Sequence, residues 1–165
     1  MRAMASDTHP PPAPRHAAWL GPLLVALQFG LLALLGGAAW RALPADGGRW
    51  RAALGLLLAS ALVGVWTLAH NRPGNFNIRP QPRSGGRLVT GGPYAWVRHP
   101  MYSAVLLLAA GLAVAIGRGW TVWAWLALGV VLLAKARIEE RWMSAQHPNY
   151  AAHFAGIRRF IPGVF

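Results

Sequence analysis

Read from its first residue, the chain alternates long apolar stretches with short polar connections rich in Gly, Pro and Arg. Trp19–Trp40 carries no charge and a single amide, Gln28, and about 20 such residues are enough to cross the hydrocarbon of a bilayer as a helix. Ala52–Ala69 is also uncharged and long enough for a second crossing. Tyr102–Ile116 and Trp120–Ala134 are shorter, about fifteen residues each, and only Gly117-Arg118-Gly119 separates them. Such a tight connection predicts a helical hairpin, with flanking Trp residues at the interface completing each span. The first stretch is too long for the apolar region of a signal peptide and is followed by further spans. Ahead of it, Met1–His16 is polar and holds Pro10, Pro11, Pro12 and Pro14, the pattern of a disordered tail.

Past Lys135 the last helix is expected to continue out of the bilayer until Pro148 interrupts it. Tyr150, Phe154 and Ile157 then recur at helical spacing, predicting a second short amphipathic piece over Tyr150–Phe160, with Arg158 and Arg159 facing the interface. The expected architecture is all-α: a multi-pass membrane helical bundle of about four transmembrane helices plus a C-terminal cytoplasmic helical segment. No glycine fingerprint of a dinucleotide-binding turn occurs, so no Rossmann domain is expected.

Composition sharpens this picture. The 165 residues fit one domain and are 55% hydrophobic, above the ~45–50% apolar share of soluble domains. With no cysteine, disulfides, thiolate metal sites and a Cys nucleophile are excluded. A net charge of +12 raises the question of nucleic acid, but the basic residues are spread over the segments that flank the spans. Fifteen of the sixteen are Arg. Contact with anionic membrane lipids, not nucleic-acid binding, is the expectation. Four crossings place the tail, the Asn71–Met101 loop and the C-terminal segment on one side with twelve Lys and Arg, against four on the other. That excess predicts a multi-pass integral membrane protein with the loop and the C-terminal segment in the cytoplasm, in the inner membrane if the source is bacterial.

A chain bathed in lipid discards most ionisable groups, so those it keeps are candidates for function. Only four carboxylates are present, and two of them, Glu139 and Glu140, are adjacent at the edge of the last apolar stretch. Acids near a helix C-terminus oppose its dipole unless something positive faces them, whether loop arginines or a cationic ligand. Lys135 lies four residues before Glu139 and so shares its helix face, the plain reading being a solvated helix end with a modest ion pair; Arg137 stands likewise to Arg141. On the other side of the hairpin stands Tyr94-Ala-Trp-Val-Arg-His-Pro-Met-Tyr102. Pro100 holds His99 out of the α region and suits the first turn of the next helix, whose free N–H groups attract anions. Arg98 adds a permanent cation. His9, His16, His70, His147 and His153 show no ligand spacing, so no metal is expected.

These features together resemble a family. Asn75-Phe76-Asn77, Gln81, Leu88-Val89-Thr90-Gly91, the Tyr-x-x-x-Arg-His-Pro-x-Tyr core and the glutamate pair after the last span are similar to the isoprenylcysteine carboxyl methyltransferases. Those are integral-membrane enzymes that use S-adenosylmethionine and are related more loosely to phospholipid N-methyltransferases. The resemblance covers Asn71 to Phe165 and implies that residues 17–165 form one integral-membrane methyltransferase domain. It implies a cofactor pocket lined by Gln81, Arg87, Leu88, Val89, Tyr94, Arg98, His99, Pro100, Met101, Tyr102 and Glu139. It further implies catalytic or acceptor-side roles for Lys135, Arg137 and Glu140, and a lipophilic or prenylated acceptor. The sequence departs from the family at Lys135, where relatives have Arg, at Ala104, where many have Gly, and at His147-Pro148, where a Phe-Gly pair is usual. N-methylation of an aminolipid, and ligand binding without catalysis by a four-span protein, are the alternatives; the oligomeric state is not legible.

Overall fold

The computed structural model describes residues 15–42, 47–71 and 88–164. Among the described residues five helices follow in order: α1 Arg15–Arg41, α2 Gly47–His70, α3 Pro100–Ile116, α4 Trp120–Gln146 and the short α5 Tyr150–His153, with a 3-10 turn at Gly92–Ala95 ahead of α3. The described residues contain no β-strand, only an isolated parallel bridge between Val97 and Arg158. Trp19–Arg41, Gly48–His70 and Trp120–Gln146 are long and apolar enough to cross a membrane, whereas Pro100–Ile116 is shorter. The fold is therefore the all-α membrane bundle that the apolar pattern predicts. Of the expected tail, Arg15 and His16 belong to α1, and the rest lies outside the described residues.

The short span is the central one. No residue from Pro100 to Ile116 is exposed, because α3 is wrapped by α1, α2 and α4. At 1.5 Å per residue its 17 residues reach about 26 Å, less than the ~30 Å hydrocarbon. Protein rather than lipid surrounds it, so the shortfall exposes little. Small residues allow the close approach: Gly111 sits against Leu57, and Ser60 Oγ donates to the Ala104 carbonyl at 2.8 Å. Leu35, Ala109, Leu128, Leu132 and Ala136 fill the seam between α1, α3 and α4. On the other faces, Leu23, Leu34, Leu58, Leu62 and Trp123 are exposed, as suits helices with lipid around them.

Two turns set the ends of this core. Gly117 caps α3 in the left-handed conformation, φ 64° and ψ 31°, and α4 starts three residues later, which is the hairpin expected. Gly92 also has positive φ, 59°, and the His70 ring at the end of α2 packs where a side chain would stand. That contact ties the 3-10 turn, and with it Tyr94, to the end of α2.

The C-terminal part differs from expectation in one respect. α4 does run on to Gln146 and stops before Pro148, since a residue preceding proline is driven out of the α region. Beyond it, however, only Tyr150–His153 is helical, not Tyr150–Phe160. The rest of the segment lies instead against the residues before α3, which bond to its carbonyls. Arg98 donates through Nε to the Ile157 carbonyl and through Nη2 to that of Phe154, at 2.7 and 2.9 Å. The Arg98 and His99 backbone N–H groups donate to the carbonyls of Arg158 and Arg159, at 2.8 and 3.0 Å.

Gly92→Ala is expected to lower the melting temperature in detergent, since its methyl would overlap the His70 ring and the left-handed backbone alone costs about 1–2 kcal/mol. Gly91→Ala, next to it, meets nothing within 4 Å and is expected to melt like the parent. Equal melting of the two variants would contradict this account of the turn.

Candidate functional site

Three segments converge at one end of the bundle: the start of α3, the C-terminal third of α4, and residues 154–160. α4 brings Glu139 about 29 Å from Trp120 along the helix axis, a distance close to the ~30 Å thickness of a bilayer's hydrocarbon. His99 sits between the two glutamates. Its Nδ1 is 3.2 Å from Glu139 Oε2 and its Nε2 is 3.2 Å from Glu140 Oε1. A carboxylate only accepts hydrogen bonds, so both ring nitrogens must donate, and the ring is an imidazolium in this arrangement. Burial works against the charged ring, but the hydrogen bonds and charges of Glu139 and Glu140 outweigh it and hold the pKa above the ordinary 6.5.

The two glutamates are held differently. Glu140 is gripped by Arg159, with Nε donating to Oε1 and Nη2 to Oε2, both at 2.9 Å, and Arg98 Nη1 stands 3.5 Å from Oε2. Bidentate pairs of this kind are among the stronger charged hydrogen bonds. Glu139 has lighter partners: His99 and the Tyr102 hydroxyl, which donates to Oε1 at 2.7 Å. A carboxylate has about four lone-pair sites, so Glu139 keeps capacity for a further donor. Aromatic rings enclose the cluster: His99 stacks on Tyr102 at 5.3 Å, and Phe160 meets both edge-on at 6.1 Å. Ser103 Oγ donates to the Phe160 carbonyl at 2.6 Å, pinning that ring. Nearby, burial and then the charge of Glu139 push the Tyr94 phenol up to about 12, so it stays a neutral donor.

Of the residues singled out in the sequence, His99, Tyr102, Glu139 and Glu140 meet directly, with Tyr94 within electrostatic range. Pro100 is buried in the first turn of α3, and Met101, Leu88 and Val89 are half-buried. Arg98 serves chiefly to fasten the C-terminal segment. Arg137 is exposed and takes no part in the cluster. Gln81, Arg87 and Asn75-Phe76-Asn77 lie outside the described residues.

Lys135 departs from expectation: it makes no ion pair with Glu139 but is buried, donating from Nζ to Gln28 Oε1 on α1, with the Tyr102 ring centroid 5.2 Å away. Arg159, expected at the interface with Arg158, folds back onto Glu140 instead. The available hint was charge balance, for two adjacent acids inside a helix require cations, and the Arg158-Arg159 pair was at hand.

A family model described as phospholipid methyltransferase matches residues 50–150. Among curated proteins, the cobalt-zinc-cadmium resistance protein CzcN of Cupriavidus metallidurans is 37% identical over 82 residues, covering 48% of this chain and 38% of that protein. The chain thus spans about two fifths of that relative's length.

The elevated His99 pKa has a consequence for stability. The imidazolium's contribution is complete below about 6.5, the unfolded value, and is lost as pH rises through the higher folded value. Melting temperature in detergent should fall over that alkaline range in the parent, and the fall should be absent from His99→Gln. An identical pH profile in the two proteins would contradict the assignment.

Proposed function

Since this chain belongs to the phospholipid methyltransferase family of integral-membrane methyltransferases, we propose that it transfers a methyl group from S-adenosylmethionine to a lipophilic acceptor at the end of the bundle where His99 meets the two glutamates. The donor set suits this cofactor. An ammonium fits the spare capacity of Glu139, a carboxylate fits the first turn of α3 at the Met101 N–H, and a sulfonium fits the face of Tyr94. Leu88 and Val89, with Gln81 and Arg87 carried over from the resemblance, would complete the pocket.

The observation that carries the reading is the unequal commitment of the adjacent glutamates. Arg159, Arg98 and His99 consume Glu140, which makes it the structural anchor. Glu139 is left as the ligand carboxylate. Bound S-adenosylmethionine supplies an activated methyl group: an acceptor lone pair forms the new bond to carbon while the C–S electron pair stays on sulfur. The protein's contribution is to position the partners and exclude water, for which a site between bilayer and buried aromatics is suited.

Carboxyl O-methylation is the finer reading. A carboxylate acceptor is ionised at neutral pH and requires no general base. An ammonium acceptor has to lose a proton first, and His99 has none of its ring nitrogens free to take it. The match to a family described by phospholipid methylation favours N-methylation of an aminolipid as the second reading, with Glu139 as base. The excess of Lys and Arg on the loop and C-terminal side supports a cytoplasmic site supplied with cofactor from that side and with acceptor from the bilayer.

Glu139→Gln is expected to weaken S-adenosylmethionine binding about tenfold to a hundredfold, the worth of one charged hydrogen bond, and to lower the melting temperature less than Glu140→Gln, because Glu140 holds the arginines as well. Glu140→Gln is expected to destabilise the fold by about 2 kcal/mol, between exposed and buried ion pairs. Equilibrium binding and thermal melts in detergent check both, and parental affinity in Glu139→Gln would refute the pocket. A screen of prenylated carboxylates and aminolipids with labelled methyl donor separates the readings, by base-labile ester against stable methylamine. No cofactor binding by folded protein would leave a non-catalytic membrane protein.

A further inference from the structure

Lys135 is only 2% exposed, on a helix that crosses the bundle. Burying an ammonium in such a place is expensive unless it is paired. Among the described residues no carboxylate comes within ion-pair distance of it. Its hydrogen-bond partner is neutral, the Gln28 side-chain oxygen, and its other neighbour is the face of Tyr102. An ammonium has three N–H donors and Gln28 takes one. Gln28 is itself 7% exposed and stands nine residues after Trp19, about 14 Å into the span. It lies outside residues 50–150, the part that matches the family. Tyr102 connects the pair to the cluster, since its hydroxyl donates to Glu139. An under-compensated cation is thus held one side chain away from the proposed methyl-donor pocket, on its bilayer side.

We propose that Gln28, on the first span, is a positioning residue for the acceptor: it holds the Lys135 ammonium beside Tyr102 so that its remaining donors receive the anionic oxygen head of a lipid-borne acceptor. This rests on the methyltransferase reading and adds α1 to the site. The head is either a carboxylate that is itself methylated or a phosphate beside a methylated amine, and both carry the same anionic oxygens. A neutral amide suits this task better than an acid, because an acid at position 28 would satisfy the cation permanently.

The test uses the full chain in detergent and two matched probe pairs: S-prenylated N-acetylcysteine against its methyl ester, and a prenyl phosphate against the prenyl alcohol. Binding is read from tryptophan fluorescence. The parent is expected to prefer the anionic member of at least one pair by tenfold or more, and the favoured pair identifies the head group. Gln28→Leu and Gln28→Glu are each expected to reduce that preference to less than threefold while S-adenosylmethionine affinity stays within twofold of the parent. Gln28→Glu is the decisive variant. If Gln28 only ties α1 to α4, the new ion pair keeps the melting temperature and leaves the preference intact, which overturns the proposal. Equal binding of both members of both pairs by the parent overturns it too. Loss of preference without any cofactor binding by the parent would refute the methyltransferase reading and leave the anion site standing. Cofactor binding and methyl transfer with a preference indifferent to position 28 would refute the inference alone.

Discussion

Two negative charges side by side near a bilayer edge have to be neutralised by the protein that carries them. At Glu139 and Glu140 this requirement organises everything around them. Neighbouring carboxylates repel each other, and one imidazolium placed between them removes much of that repulsion. The rest is met by Arg159 and Arg98, which come from separate parts of the chain. Satisfying one acidic pair thereby fastens the start of α3, the flank of α4 and residues 154–160 to one another. The same guanidinium of Arg98 also holds the carbonyls of Phe154 and Ile157, which keeps the non-helical segment after His153 against the cluster.

The membrane core depends on a different balance. Lipid offers little hydrophobic reason for helices to associate, so close packing of small residues and a few internal hydrogen bonds hold them. Ser60 to the Ala104 carbonyl and Trp125 to the Leu106 carbonyl are of this kind. Gln28 to Lys135 is as well, but it differs in carrying a full charge. The Tyr102 side chain therefore joins the inside of the bundle to the charged end, with its ring facing Lys135 and its hydroxyl donating to Glu139.

The spans were legible because uncharged stretches of that length have few other uses, and the hairpin because Gly117 and Gly119 bracket so short a connection. His99 and the glutamates were legible because ionisable groups are scarce in such a chain. What escaped were pairings between distant positions. Lys135 was expected to meet Glu139 by helical spacing, but a neighbour on α1, 107 residues away in sequence, captured it instead. Arg159 was placed at the interface because its local pattern is amphipathic, whereas the charge it answers lies on another helix. The periodicity of Tyr150, Phe154 and Ile157 predicted a longer helix than forms: Tyr150 and Phe154 are indeed buried, but the backbone between them and Phe160 is claimed from outside. Local pattern reports which side chains are buried, and it is silent on which backbone groups a remote guanidinium will take.

The tight turn at Gly117 has a bearing on biogenesis. Because α3 and α4 run antiparallel from a three-residue connection, the histidine end of one returns to the level of the glutamates on the other within a single insertional unit. A span as short as α3 is a weak candidate to leave a translocation channel by itself, but paired with the longer α4 it can partition as a hairpin. The two halves of the charged cluster are therefore brought to the same leaflet by the act of insertion, before any long-range assembly with α1 and α2 is required.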